Sequence, residues 1–492
     1  MRILLVYPEY PATFWSFKYA LGFISKKAVF PPLGLLTVAS MLPEEFEARL
    51  IDMNVESLRD RDIDWADYVF VSAMSIQRDS AVEVISRCRA LETKTVVGGP
   101  LFSSEPEDFE EADHLVLNEA EVTMPRFIAD LLAGCPRHVY TTDELPSMEL
   151  APIPKWDLLD MSKYQGMSVQ FSRGCPFDCE FCNISALFGH KVRTKSTEQT
   201  LAELESLYTS GWRGSVFFVD DNFIGNKRAL KKVLLPAIIE WMEKRKRPFY
   251  FNTEVSVDLS DDEELMDLMV RSGFVSVFVG IETPNEASLA ECSKLQNKNR
   301  DLLACVKKMQ DKGLRVQAGF IVGFDSDPVS TFDSMIAFIQ KSGIVTAMVG
   351  LLNAPRGTKL HKRLDEEGRL LRKISGDNTD FTLNFIPKME KETLVGGYER
   401  VVSTIYSAGP YYERVRRFLR EFNPPRNSGS RLSFRDIKSL FKSSLHLGIV
   451  DRERWHYWRI VLWSLFKRPR VLPLTVTFAA YGFHFRKIFR IS

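Results

Sequence analysis

The chain has 492 residues, 45% of them hydrophobic and 26% charged, and its 65 Lys+Arg nearly balance 64 Asp+Glu for a formal net charge of +1. Such a composition buries a large core and, with no low-complexity run, excludes a disordered, collagen-like or coiled-coil chain. The near-neutral charge argues against a dedicated nucleic-acid binder.

Residues 1–145 alternate strand and helix signals. Ile3–Tyr7, Tyr68–Ala73 and Thr95–Val97 read as buried strands, the last running into Gly98-Gly99-Pro100, and helices are predicted at Leu33–Met41 and Ser80–Ala90. Apolar strands alternating with helices predict a parallel α/β sheet covered on both faces. Ligands bind such sheets beyond the carboxyl ends of the strands. The candidate ligand loops are therefore Pro8–Thr13, Met74–Arg78, Gly98–Phe102 and Asn118–Thr123. Residues 146–166, with Pro146, Pro152 and Pro154 and no periodicity, read as a linker.

A second α/β series fills residues 167–355. Strands are predicted at Ser168–Ser172, Ser215–Val219, Tyr250–Val255, Ser276–Ile281, Arg315–Val322 and Ala347–Leu352. Helices are predicted between them, at Thr197–Ser210, Asp262–Ser272, Asn299–Lys312 and Thr331–Ser342. Six βα units, two short of a full barrel, predict a barrel that is closed or partly open.

From 356 to 492 the chain reads as a mostly helical domain, with a turn-rich patch at Asn423–Ser430. Residues 451–492 hold nine Lys/Arg against two Asp/Glu and are dense in aromatics. The apolar run Trp458–Phe466 is followed at once by Lys467, Arg468 and Arg470. That is the composition of an interfacial helix; the alternative is a helix pair packed on the barrel. No uninterrupted apolar run reaches the ~20 residues of a spanning helix. The opening run Met1–Pro8 lacks the long apolar core of a secretion signal. These features set the expectation of a cytoplasmic protein, with peripheral contact to the inner face of the membrane through 451–492.

Seven cysteines are too few and too scattered for a disulfide framework, but Cys175, Cys179 and Cys182 lie together just after the first strand of the second series. A Cys-x3-Cys-x2-Cys loop is one ligand short of a structural zinc site. Three thiolates suffice for a four-iron cluster whose remaining iron stays open to chelate a small molecule. Gly174 and Pro176 suit a tight loop, and Phe177 and Phe181 can shield a cluster. The alternatives are zinc with a distant fourth ligand, or unlinked core cysteines.

Taken with its surroundings, this loop resembles that of the radical S-adenosylmethionine (SAM) superfamily. Val219-Asp220-Asp221-Asn222-Phe223 resembles the end of that superfamily's second barrel strand, and Phe278–Thr283 its fourth-strand motif. Gly319–Phe324 resembles the fifth-strand motif that packs on adenine. In the first region, Val6-Tyr7-Pro8, Pro31-Pro32-Leu33-Gly34-Leu35, Gly98-Gly99-Pro100 and Asn118-Glu119-Ala120-Glu121 resemble the cobalamin-binding domain fused to class B radical SAM methylases. Asn118 and Ala120 stand where that family has glycines. No Asp-x-His-x-x-Gly is present, so no histidine ligand to cobalt is expected. The last region resembles the domain of unknown function found in hopanoid C-2 methylases and their relatives.

The resemblance implies an α/β chain with three parts: a Rossmann-like cobalamin-binding domain over 1–145, a partial β/α radical SAM barrel over 167–355, and a mostly helical C-terminal domain. It implies a [4Fe-4S] cluster on Cys175, Cys179 and Cys182, with SAM held near Arg173, Asp221, Asn222, Glu282, Gly319 and Gly323; the alternatives are an exposed cation for Arg173, an Asx turn for Asp221 and Asn222, a capping or surface acid for Glu282, and strand packing for the two glycines. For cobalamin it points to Tyr7, Ser72, Ser75, Gly98, Gly99 and Glu121; turn formation is the alternative for Ser72 and Ser75. The implied activity is cobalamin-dependent methyl transfer to an unactivated carbon of a small or lipid-like substrate. An electron donor such as flavodoxin or ferredoxin would feed it. A non-methylating radical reaction, such as cyclisation or rearrangement, and a non-catalytic cobalamin- or redox-binding protein are the alternatives.

Overall fold

The computed structural model describes residues 1–371, 373–377, 379–425 and 442–491. Residues 426–430 of the turn-rich patch lie outside the described residues. Two parallel six-stranded sheets organise the chain.

The first sheet contains β1 (Arg2–Tyr7), β2 (Glu47–Asp52), β3 (Tyr68–Ser72), β4 (Lys94–Gly98), β5 (His114–Val116) and β6 (Val139–Tyr140). Its order is β2-β1-β3-β4-β5-β6, with every pair parallel. The pleat explains the apolar runs. Leu4 and Val6 go to one face with Val69, Val71, Val97 and Leu101, and Ile3 and Leu5 go to the other with Phe70, Val96 and Phe127. From β1 the chain turns to β2 on one side and β3 on the other. The switch point, where such sheets bind ligands, therefore lies beyond Tyr7 and Ser72. Strands β2, β5 and β6 are not among the strands predicted by name, β5 being implied only by the candidate loop that follows it. Only the last two residues of edge strand β2 are buried, and the other two strands are three and two residues long.

The second sheet contains β7 (Gly166–Val169), β10 (Gly214–Phe218), β11 (Phe249–Val255), β12 (Phe274–Glu282), β13 (Arg315–Val322) and β14 (Ala347–Leu351). They lie in the order β14-β13-β12-β11-β10-β7, all parallel, and β7 and β14 do not pair. The barrel is therefore partial and open. The short strands β8 (Ser172–Arg173) and β9 (Arg193–Thr194) form an antiparallel pair beside it. The single strand expected over Ser168–Ser172 divides here. Asp220 accepts the Phe171 backbone N–H at 3.2 Å and also takes the Ser172 N–H and hydroxyl, which bends the chain out of the sheet.

Residues on the outer face of this sheet, such as Phe218, Phe251, Val279 and Phe320, are buried beneath the helices. Those on the concave face include Phe217, Asn252, Glu254, Phe278, Gln317 and Met348, and they stay half-buried. The concave face is a polar and aromatic hollow rather than a filled core.

A long loop after β1 closes that hollow. Trp15 sets its edge on Phe278, and its Nε1 lies 3.0 Å from the Met348 Sδ. Phe30 stacks on Phe217 at 5.1 Å. From behind, the C-terminal helix Leu472–Ile488 holds the loop: Phe485 stacks on Phe14 at 4.3 Å, and His484 Nε2 lies 3.0 Å from the Phe14 carbonyl. Further helices at Lys391–Tyr406, Ala408–Glu421 and Arg454–Lys467 complete the mostly helical C-terminal part. Tyr406 anchors it to the edge of the sheet by bonding both the N–H and the carbonyl of Ala347. Phe14→Ala deletes a fully buried ring where three regions meet. It should cost about 3–5 kcal/mol, read as a lower melting temperature and faster proteolysis near residues 8–32 with the two sheets still formed.

Candidate functional site

The cysteine loop leaves β8 and is fixed from several sides. Gly174 has φ +89°, and a Cβ there would meet the carbonyls of Phe188, Gly189 and Lys191 within 3.1 Å. Its N–H donates to Asp221 Oδ2 at 2.9 Å. Glu180 is held by the Cys292 carbonyl through its N–H and by Arg363 through its carboxylate. All three thiols are free and half-buried. Burial pushes each thiol up, Cys182 to about 12, while the Lys294 ammonium opposes the shift at all three. Gln296 places Nε2 3.7 Å from Cys179 Sγ. Among the described residues, no three His, Cys, Asp or Glu side chains close on one metal ion. A four-iron cube makes no such demand, because each thiolate binds a different iron. Three free thiols on one braced loop beside a buried cation fit that cluster.

Lys294 belongs to a second feature. Glu282 ends β12 at a bulge, with φ 61°, and its Oε1 lies 2.7 Å from Lys294 Nζ. A Cβ at Gly280 would lie 2.7 Å from that ammonium, so this position leaves room for the pair. Asn297 Nδ2 ties the bulge down through the carbonyls of Gly280 and Ile281. Cys175, Cys179, Cys182, Asp221 and Glu282 thus gather at one end of the barrel. The other expected SAM residues sit among identifiable neighbours. Asn222 is buried and bonded to Ser256. A Cβ at Gly319 would lie 2.9 Å from the Phe278 ring. Gly323, at φ +107°, turns the chain after β13 against Leu394.

The first sheet supplies the opposite wall. Gly99 has φ +95°, and a Cβ there would lie 2.5 Å from the Ser72 hydroxyl; one at Gly98 would lie 2.6 Å from the Val116 carbonyl. Tyr7 and Ser72 end β1 and β3, and Ser75 begins the turn that follows. These residues line one carboxyl edge, where backbone can approach a large flat ligand closely. Asn118, in place of a family glycine, still adopts the left-handed φ of 64° that asparagine tolerates, and its N–H donates to Ser103 Oγ at 2.8 Å. Gly376 brings the segment after the barrel down onto Ser75 and Ile76.

Buried ion pairs join the two carboxyl edges. Arg173, two residues before Cys175, reaches Glu119 at 2.7 Å and Glu121 at 2.8 Å, and Arg193 reaches Glu119 at 2.5 Å. Burial alone would raise Glu121; Arg173 outweighs it and holds the carboxyl below its ordinary range. Glu121, expected at cobalamin, and Arg173, expected at SAM, are thus engaged with each other. Arg356–Glu107 and Lys373–Asp108 add two further bridges.

Sequence reasoning missed Lys294, Gln296 and Glu254, none of which lies in a recognisable motif. Glu254 faces the hollow from β11. Burial, then repulsion from Asp221 and Asp220, raises its carboxyl to about 7. A raised value means the folded chain binds the proton more tightly than the unfolded one. Its contribution to stability is therefore complete below the ordinary 4.5 and is lost as pH rises through about 7. Glu254→Gln should melt higher than the parent above that pH in the cofactor-free protein, and the gap should close on acidification. Parallel melting curves across the range would contradict this environment for Glu254.

Family models match all three regions: a B12 binding domain over residues 22–128, the Radical SAM superfamily over 169–339, and a domain of unknown function (DUF4070) over 358–492. The chain is 42% identical over 490 residues to the uncharacterized methyltransferase sll1242 of Synechocystis sp., covering 99% of this chain and 91% of that one. It is 36% identical over 390 residues to hopanoid C-2 methylase of Rhodopseudomonas palustris, covering 78% and 73%. In fold it resembles the cobalamin-dependent SAM radical enzyme OxsB, with a TM-score of 0.64 at 16% identity over 99% of this chain and 79% of that one. The chain therefore belongs to the cobalamin-binding radical SAM methyltransferase family that includes hopanoid C-2 methylase.

Proposed function

We propose that this enzyme transfers a methyl group to an unactivated carbon of a small, lipid-like substrate held between the two facing carboxyl edges. The observation that carries the reading is the Arg173–Glu119–Glu121 contact. It sets the cysteine loop of one sheet against the candidate cobalamin edge of the other, and domain interfaces commonly hold such sites. Cys175, Cys179 and Cys182 would hold the cluster. The edge formed by Tyr7, Ser72, Ser75, Gly98 and Gly99 would hold cobalamin. When bound, these groups supply the electron that cleaves SAM and the carrier for the methyl group.

The chain's own residues do the rest. Asp221 braces the cysteine loop through Gly174. The Glu282–Lys294 pair presents a carboxylate and an ammonium beside the thiols, suited to the zwitterionic methionine end of SAM. Phe217, Phe278 and Met348 give the hollow apolar surface for a lipid-like body, and Trp15 and Phe30 exclude water from it. An external flavodoxin or ferredoxin would deliver electrons. The lipid would come from a membrane that residues 451–492 contact peripherally.

Anaerobically reconstituted protein should carry about four irons per chain, bind hydroxocobalamin with a rise in melting temperature, and release 5′-deoxyadenosine from SAM. Cys179→Ala should lose the iron and the SAM cleavage while still binding cobalamin. Comparing extracts of cells with and without the protein by mass spectrometry should reveal a lipid-fraction product heavier by one methylene. Stoichiometric zinc without iron–sulfur absorbance would refute the cluster. A product of altered mass without the added carbon would refute methylation in favour of another radical reaction.

A further inference from the structure

The helix Arg454–Lys467 is apolar on two sides. Tyr457, Ile460, Val461 and Ser464 are buried against the rest of the C-terminal part. Among the described residues nothing covers the opposite side: Trp455 is 76% exposed, Leu462 46%, Leu465 46% and Phe466 77%, with Trp458 beside them. These positions recur at intervals of three and four and therefore share one face. The preceding turn continues the surface with exposed Ile449 and Val450, and Trp458 Nε1 binds it through the Gly448 carbonyl at 2.8 Å. Five cations surround the face: Arg452, Arg454, Arg459, Lys467 and Arg470 are all exposed, and among the described residues none has an ion-pair partner. Arg468 is excluded from that set because its guanidinium is tied to the carbonyls of Arg420 and Phe422. Of the nearby acids, Asp451 is paired with Arg486 and Glu453 is half-buried.

We infer that this face docks the protein on an anionic lipid surface, with the tryptophans, leucines and Phe466 in the head-group boundary and the five cations on the lipid charges. Charge decides the occupant. A second copy of the chain would bring the same positive rim against itself, whereas an anionic bilayer complements it. The association is peripheral, since no helix among the described residues is long and apolar enough to cross a membrane. The next helix, Leu472–Ile488, packs against Arg454–Lys467 to form a hairpin and holds the barrel-closing loop through Phe485 on Phe14, while Trp15 of that loop lies on Phe278 of the barrel. A docked C-terminus therefore lies against the element that closes the hollow. This inference rests on the lipid-substrate reading for its purpose but is tested apart from it.

The test is flotation of the full-length, cofactor-loaded protein with phosphatidylcholine vesicles, with and without phosphatidylglycerol. The parent should float with the anionic vesicles at low salt and stay below with the neutral ones. Leu462→Glu with Phe466→Glu, both at exposed positions, should stay at the bottom with unchanged circular dichroism and iron content. Arg459→Gln should weaken partition about fivefold. A parent that does not float with anionic vesicles overturns the inference, as does a double variant that floats equally well. So does self-association of the parent, abolished in the double variant, without flotation. Release of 5′-deoxyadenosine is measured in parallel without vesicles: if it persists while flotation fails, only docking is refuted. If it is absent while flotation succeeds, the methyl-transfer reading fails and docking stands.

Discussion

Two arginines and two glutamates hold the active architecture together. Arg173 and Arg193 come from the short strands that flank the cysteine loop, and Glu119 and Glu121 open the helix after β5. All four are buried or nearly so, and together they satisfy one another's charge. Removing a single member of such a group leaves an uncompensated buried charge, at a cost of about 3–5 kcal/mol. The network fixes the carboxyl edges of both sheets in one orientation. Without it, the facing of the cysteine loop and the candidate cobalamin edge would rest on the more exposed Arg356–Glu107 and Lys373–Asp108 bridges and on Gly376 against Ser75 and Ile76.

That orientation gives meaning to the second sheet's uneven faces. Its outer side is packed with Val, Phe and Ile beneath helices, as a parallel sheet requires. Its inner side keeps Glu254, Asn252 and Gln317 among aromatic rings, half-buried and only partly bonded. A closed barrel fills its centre with branched apolar side chains. This one is left open and polar at the level of the cysteine loop, the arrangement expected where ligands occupy the centre. Polar groups in a hollow carry a desolvation cost, and the raised value of Glu254 is its local expression.

The central strands were legible in the sequence because burial on both faces writes a continuous apolar run. The cysteine triplet was legible because its spacing is local. What stayed hidden depends on distant contacts. β6 is two residues long and exists only because β5 offers it an edge. The break between β7 and β8 is made by Asp220, about fifty residues further on. Lys294 follows a helix with no pattern around it, and only the fold carries its ammonium to Glu282 and the thiols. Glu121 was singled out by a motif and Arg173 by its place beside the cysteines, yet their pairing joins two sheets that sequence spacing cannot relate. Local chemistry was readable, whereas the pairing of one local feature with another was not.

The loop after β1 shows how far such pairing extends. At the switch point of the first sheet, a loop of this kind ordinarily lines its own domain's ligand site. Here its first residues stay with the first sheet, where Asn54 and Gln77 hold the Pro8 carbonyl. Beyond them the chain leaves its domain, buries Phe14 beneath the C-terminal helix and lays Trp15 across the second sheet's hollow. One segment thus contacts the candidate cobalamin edge, the candidate substrate hollow and the C-terminal hairpin in succession. Packed interiors transmit displacement because they have little free volume to absorb it. A shift of the C-terminal helix must therefore move Phe14, and Trp15 with it. The C-terminal part, which holds none of the candidate cofactor residues, is the one packed against the segment that closes the hollow.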